Sequence, residues 1–260
     1  MNPLRQLLKS SGSQAPLGTW LMAASPLVTE AMGHAGFQWG VIDMEHTPLD
    51  MMEVIQLLQA AGNTKMVPIV RVPWNDTVSI KRVLDAGAQT LLIPFVQNAD
   101  EARRAVAATR YPPEGIRGLA GMSRGSKFGT IPDYTKTANK TVGAVLQLET
   151  PAAVANLEAI AAVPGVDSLF MGPGDLSAAL GHAGNTTHPD VMAVMADAAR
   201  RCKAVGKPVG TVGGTPELVV QYRAMGFDYV AIASDLGLLM RGAQAAVKAL
   251  TTPDGETHVH

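Results

Sequence analysis

Two acidic residues in this chain each follow directly on an apolar run. Residues 143–148, G-A-V-L-Q-L, lead into Glu149, and 168–171, S-L-F-M, lead through Gly172-Pro173-Gly174 into Asp175. The Ala/Leu-rich segment between them, 151–162, reads as a helix. The stretch is therefore strand–helix–strand, with an acid just past the C-terminal end of each strand. In parallel α/β folds that edge is where chemistry sits. Two carboxylates there, on adjacent strands, suit a hard divalent cation held by oxygen ligands with water positions left open. Each acid also has a plain structural reading. Glu149 caps the following helix, since acids favour helix N-termini, or Asp175 caps the turn Asp175-Leu176-Ser177. Gln147 and the glycine–proline lead-in add weight to the metal reading.

Other strand ends carry further candidates. The segment V-I-D-M-E-H-T presents Asp43, Glu45 and His46. A histidine just past a strand, with a carboxylate nearby to fix its tautomer, fits a general acid/base. Asp43 either orients His46 or satisfies backbone groups in the turn, and Glu45 either binds metal or points outward. Arg71 ends the run I-V-R, where a guanidinium is costly unless it meets an anion. That anion is an oxyanion forming on a substrate, a mouth carboxylate such as Glu45, or both. Asp85 stands at the end of a helical stretch, V-L-D-A-G-A, an odd place for an active-site acid within one subunit. Only a contact across an oligomer interface would bring it near another subunit's histidine, and the sequence by itself gives no support for one. Residues 210–215, G-T-V-G-G-T, read as a phosphate-binding loop, a tight turn, or a pocket wall with Val212 facing a substrate.

These residues need a frame that brings strand ends together. Apolar runs over 17–22, 38–43, 66–71, 90–96, 143–149, 167–172, 208–212 and 228–233 read as eight strands. They alternate with helical stretches over 26–34, 49–61, 76–86, 98–109, 151–162, 189–205, 215–225 and 235–250, and a short helix precedes them at 3–10. Continuous apolar strands between helices imply a parallel sheet covered on its outside, and eight repeats imply closure into an α/β (β/α)₈ TIM barrel. The Thr215-Pro216 and Thr150-Pro151 pairs start helices. Gly36, Gly62, Gly87, Gly165, Gly206 and Gly226 stand where left-handed terminators are expected. The connection 111–141 is long, glycine-rich and basic, as lids, binding loops and interfaces are. Its Arg117, Arg124 and Lys127 meet an anionic substrate, solvent or another subunit.

With 260 residues and 47% hydrophobic content, the chain matches one barrel, expected over 1–250, with a flexible polar tail over 251–260. A net charge of −1 gives no reason to expect nucleic acid or an anionic membrane surface. No apolar run reaches membrane-spanning length. The N-terminus has no signal-peptide core. The single cysteine, Cys202, reads as packing and fits a reducing, cytoplasmic setting.

Taken in order, D-M-E-H at 43–46, V-R-V-P-W-N-D at 70–76, L-D-A-G-A-Q-T-L-L-I-P at 84–94, R-Y-P-P-E-G-I-R-G at 110–118, Q-L-E-T at 147–150 and G-P-G-D-L-S at 172–177 resemble the HpcH/HpaI aldolases over nearly the whole chain. The resemblance implies a class II pyruvate aldolase that reversibly cleaves 4-hydroxy-2-oxo acids, such as 4-hydroxy-2-oxoheptanedioate, to pyruvate and an aldehyde through a metal-stabilised pyruvate enolate. It implies Mg²⁺, Mn²⁺ or a similar ion such as Co²⁺ on Glu149 and Asp175, no organic cofactor, and a homo-oligomer built as a hexamer, a trimer of dimers. Arg71 would stabilise the enolate oxygen. His46, paired with Asp43, would exchange the hydroxyl proton, and Asp85 would approach that pair from a neighbouring subunit. Gln147 and the backbone of Gly174 and Asp175 would hold pyruvate. Val212 and Arg124 would face the rest of the substrate. The family often has G-P-A-D where this chain has G-P-G-D, which should widen the pyruvate end at Gly174.

The physics of the reaction points the same way. Breaking a carbon–carbon bond next to a ketone leaves an enolate that needs an electrophile. No lysine lies just past any of the eight expected strands, which argues against a Schiff base. The alternative on the same barrel is an acyl-CoA lyase of the citramalyl- or malyl-CoA type. It would need a basic groove for CoA, which the sequence does not offer. A non-catalytic barrel binding a small anion is the third reading, and the full set of strand-end residues disfavours it.

Overall fold

A computed structural model describes residues 1–12 and 14–251. Eight strands run β1 (Leu17–Leu21), β2 (Trp39–Asp43), β3 (Val67–Arg71), β4 (Thr90–Ile93), β5 (Gly143–Leu148), β6 (Ser168–Met171), β7 (Val209–Gly213) and β8 (Tyr229–Ser234). Among the described residues the helices are α1 (Pro3–Ser10), α2 (Pro26–His34), α3 (Met51–Gly62), α4 (Thr77–Asp85), α5 (Ala99–Thr109), α6 (Tyr134–Thr141), α7 (Pro151–Ala155), α8 (Leu157–Ala161), α9 (Pro173–Ala179), α10 (Pro189–Ala204), α11 (Pro216–Met225) and α12 (Asp235–Thr251). Each strand pairs in parallel with its sequence neighbours, and β8 closes on β1, so the expected (β/α)₈ barrel is the fold.

Register then fixes the site. Asp43 is the partner of Arg71 across β2 and β3, and Leu148 of Met171 across β5 and β6. The pair Asp43–Arg71 and the residues just beyond Leu148 and Met171 therefore reach the same rim.

Two apolar layers hold this frame. Inside the barrel lie Trp20, Trp39, Phe170 and Tyr229 with Val41, Ile69, Leu92 and Val145. Trp39 and Tyr229 meet edge to face, with centroids 5.2 Å apart. Two glycines make room for these rings: a Cβ on Gly18 would stand 2.2 Å from the Trp39 ring, and one on Gly210 2.3 Å from Tyr229. The outer layer packs the other strand faces against the helices. Helix α1 closes the N-terminal end, its Leu4 joining the inner cluster. Asn2 caps that helix and donates to Gln89 O, Thr90 Oγ1 and Thr141 O.

The local chemistry mostly follows the sequence signals. Thr150, Thr215 and Ser25 cap helices that begin with proline. Gly226 closes α11 at φ +96°, while Gly62 is instead the last residue of α3. The helix expected over 151–162 is interrupted at Asn156, whose side-chain amide donates to Ala152 O and Gln97 O. The fourth strand stops at Ile93 rather than 96, because Pro94 has no N–H and Phe95 turns to φ +53°. Helices α6 and α9 form where loops were expected. Thr251 ends α12, and from 252 on the expected tail lies outside the described residues. Among the described residues no helix is long and apolar enough to cross a membrane.

Candidate active site

A pocket of about 540 Å³ opens at the C-terminal rim of the barrel, walled by His46, Arg71, Gln147, Glu149, Asp175 and Val212 among others. A larger cavity, about 800 Å³, lies at the opposite end beside α1 and contains none of these groups. Size does not decide between them; the chemistry does, and it sits in the smaller one.

Glu149 follows β5 and is completely buried. It accepts the N–H of Phe95 at 2.9 Å and a short hydrogen bond from Gln147 Nε2. Burial pushes its carboxyl up to about 7, and the nearby charges of Asp175 and Glu45 push the same way. Among the described residues no cationic side chain lies within 4 Å of it. Gly172 permits this crowding: a Cβ there would stand 2.5 Å from Glu149 Oε2. Gly174 is the contrary case, with open space around its missing Cβ. Asp175 sits in the first turn of α9, which Gly172 and Pro173 start, half-buried and facing the same pocket. Gln147 Oε1 is buried with no hydrogen-bond partner. A buried carboxylate lacking a cation, a second carboxylate beside it and an unused amide oxygen form a hard oxygen donor set that fits a divalent cation.

On the facing wall, Arg71 is buried and forked onto Asp43, with Nε donating to Oδ1 at 2.8 Å and Nη2 to Oδ2 at 2.7 Å. Its Nη1 lies 2.9 Å from Glu45 Oε2, an ion pair without hydrogen-bond alignment. The guanidinium also stands 5.6 Å from the Trp20 ring centre. Burial raises the Glu45 carboxyl, partly offset by Arg71 and His46. The expected pairing of Asp43 with the His46 ring is corrected by this geometry. Both Asp43 oxygens are taken by the arginine fork, the stronger bidentate partner, and Asp43 reaches His46 only through its backbone N–H, at 3.4 Å. The exposed imidazole of His46 faces Glu45 instead, Nε2 to Oε2 at 3.8 Å.

Two other candidates are not brought to this pocket within one chain. Asp85 ends α4, a helix that returns toward the N-terminal face, and binds Arg117 at 2.7 Å. Arg124 donates to Ala86 O at 3.1 Å and lines a separate cavity with Gly87 and Gln89. The physical reason is the course of the 111–141 connection. It leaves α5 at the N-terminal end of the barrel and stays there until β5 begins. Arg117, within that connection, is fully buried, 4.4 Å from the Tyr111 ring centre, and so is no substrate ligand in the pocket. Conversely, Trp20, Thr186, Ser234 and Arg241 line the pocket unforeseen. Only Trp20 and Ser234 carried a signal, as residues at or near strand ends.

A second group of ligand types, His182, His188 and Asp190, gathers where α10 starts. His188 Nδ1 already accepts the Asp190 N–H at 3.3 Å as a helix cap, so its lone pair serves the fold. Cys202 is buried in the outer core, and burial raises its thiol to about 12.

Residues 17–242 match the model of the HpcH/HpaI aldolase/citrate lyase family. The chain is 52% identical over 236 residues to 2-dehydro-3,6-dideoxy-6-sulfogluconate aldolase of Pseudomonas putida, covering 91% of this chain and 92% of that one. It is 46% identical over 234 residues to 5-keto-4-deoxy-D-glucarate aldolase of Salmonella arizonae, covering 90% and 91%. A crystal structure of a family protein from Burkholderia cenocepacia superposes with a TM-score of 0.92 at 41% identity, covering 97% of this chain and all of the other. The chain belongs to the HpcH/HpaI aldolase/citrate lyase family.

Proposed function

We propose that this chain is a divalent-metal-dependent aldolase that reversibly cleaves 4-hydroxy-2-oxo acids to pyruvate and an aldehyde. The observation that carries the reading is Glu149, a buried carboxyl at the pocket wall with acids nearby and no cation of its own. The relatives' names support the substrate class. Both describe acids with an oxo group next to a carboxylate, then a deoxy carbon, then a hydroxylated one. That unit is the 4-hydroxy-2-oxo acid that retro-aldol cleavage requires, and 4-hydroxy-2-oxoheptanedioate is one further member of the class.

Glu149 and Asp175 would hold the ion, Mg²⁺ or Mn²⁺ by the hardness of the donors, with Gln147 beside them. A bound divalent ion supplies Lewis acidity to the 2-oxo group of the substrate. The chain's own residues do the rest. The His46 imidazole takes the proton from the 4-hydroxyl as the bond between C3 and C4 breaks; the aldehyde departs, the bond's electron pair stays with the oxo-acid half as an enolate, and C3 then takes a proton from solvent to give pyruvate. Glu45 lies beside it, its Oε2 3.8 Å from the His46 Nε2. Arg71 faces the charge that develops on the 2-oxo oxygen, and Asp43 fixes the plane of its guanidinium. In reverse, the same imidazole returns the proton to the new hydroxyl.

The protein is proposed to work as a homo-oligomer, with a hexamer the number the family resemblance suggests. Helix α12 supports association: Leu239, Met240, Val247 and Leu250 are apolar and exposed along it. Asp85 would then act only on a neighbour's site. The test of the function is product formation. Pyruvate should appear from a 4-hydroxy-2-oxo acid with Mn²⁺ present, cease in chelator and return with added Mn²⁺. Full turnover in chelator would refute it.

A further inference from the structure

We infer that Arg241 forms a subsite for an acid group at the far end of the aldehyde, so that the enzyme selects aldehydes bearing a carboxylate or sulfonate tail. The inference rests on the aldolase reading and deepens it.

The pocket has three walls. Glu149 and Asp175 follow β5 and β6, and His46 and Arg71 follow or end β2 and β3. The oxo-acid half of the substrate belongs to the first wall and the reacting hydroxyl to the second. The remaining wall, over β7, β8 and the start of α12, is where the rest of the aldehyde fits. It is built from small residues, Gly213, Gly214, Ala233, Ser234 and Gly237, and a Cβ on Gly214 would meet nothing within 4 Å. A chain of several atoms therefore has room there.

Arg241 is the cation on that wall. Its Nη1 donates to Gly214 O at 3.3 Å, and among the described residues no carboxylate lies within 4 Å of it. Arg71, by contrast, is paired with Asp43 and Glu45 and stands on the wall of the reacting centre. A guanidinium anchored by one carbonyl, with its other N–H groups open to a pocket, matches a planar carboxylate or a sulfonate and is wasted on a neutral aldehyde. Ser234 sits beside it on the same wall, its Oγ accepting the Gly237 N–H at 3.0 Å.

The test compares 4-oxobutanoate with its neutral methyl ester as acceptors for pyruvate, in Mn²⁺. The unmodified protein should prefer the acid by about tenfold or more in kcat/KM, the low end of what a hydrogen bond to a charged group contributes. In Arg241→Gln that preference should fall to near unity, while Arg241→Lys should keep part of it. The ratio is taken within one preparation, so it does not depend on how much enzyme is folded. A ratio unchanged in Arg241→Gln, or an unmodified protein indifferent to the tail, overturns the inference. Exchange of the pyruvate methyl protons with solvent, which needs no aldehyde, keeps the two readings apart. Exchange with an unaltered ratio sinks only the subsite, and absent exchange sinks the aldolase reading with it.

Discussion

Metal affinity should depend on pH in a way an ordinary glutamate cannot produce. A cation binds the Glu149 carboxylate and not the carboxylic acid, so binding must release whatever proton the group holds. Burial lifts this carboxyl to about 7. At pH 8 about nine-tenths of the metal-free protein would then be ionised there, and at pH 5 about one part in a hundred. The apparent Kd for Mn²⁺ should weaken roughly ninetyfold between those limits, with one proton released per ion at the acid end. A glutamate near its ordinary value would change it by less than about twofold over the same range. Calorimetry at pH 5, 6, 7 and 8, repeated in two buffers of different ionisation enthalpy, reads both the affinity and the proton. A Kd that moves by less than about threefold would refute the claim that this buried carboxyl is the dominant ligand. Linkage adds a second readout. A carboxyl raised on folding makes the native state bind protons more tightly than the unfolded one. The metal-free protein therefore loses stability as pH rises from about 4.5 to about 7, by up to about 3 kcal/mol from this group. Glu149→Gln should remove that loss, so the variant without metal should gain on the parent at pH 8 and not at pH 5.

Further predictions follow from the same geometry. Gly172→Ala sets a methyl group against Glu149 Oε2 and should displace the carboxylate, weakening Mn²⁺ binding more than tenfold, about 1.4 kcal/mol, while far-ultraviolet circular dichroism stays unchanged; normal affinity would show that the carboxylate does not depend on that close approach. Arg71→Ala leaves Asp43 and Glu45 facing each other without their cation and should cost about 3–5 kcal/mol in urea unfolding. A cost below about 1 kcal/mol would contradict the buried triad. Cys202 should resist alkylation in the native protein at pH 8 and react fully in urea, since its thiol is buried and raised to about 12.

Much of this site is legible in the sequence because a barrel turns a strand's last residue into a rim residue. Asp43, Arg71, Glu149 and Asp175 need only their strand ends to be read correctly, and register then sets Asp43 against Arg71. What reads poorly depends on paths and on backbone. Arg124 and Asp85 share the pocket's chemistry by type, but they lie at the other end of the barrel, and no local pattern shows which end a 31-residue connection over 111–141 occupies. The Phe95 N–H that holds Glu149 exists because Phe95 adopts φ +53°, a conformation no residue type announces there. Arg241 lies six residues into the last helix, where only the exit angle from β8 decides whether it faces the pocket. The pairing of His46 fails for another reason. Sequence spacing puts Asp43 near His46, but the competition between an imidazole and a guanidinium for that carboxylate is settled only in three dimensions.

An ion held by Glu149 and Asp175 should make the carbon next to the pyruvate oxo group acidic. Deuterium incorporation into the methyl group of pyruvate, followed by proton magnetic resonance in heavy water, tests it without any aldehyde. Incorporation should require Mn²⁺ or Mg²⁺ and vanish in Glu149→Gln. Equal incorporation by the metal-stripped protein, or by that variant, would contradict it.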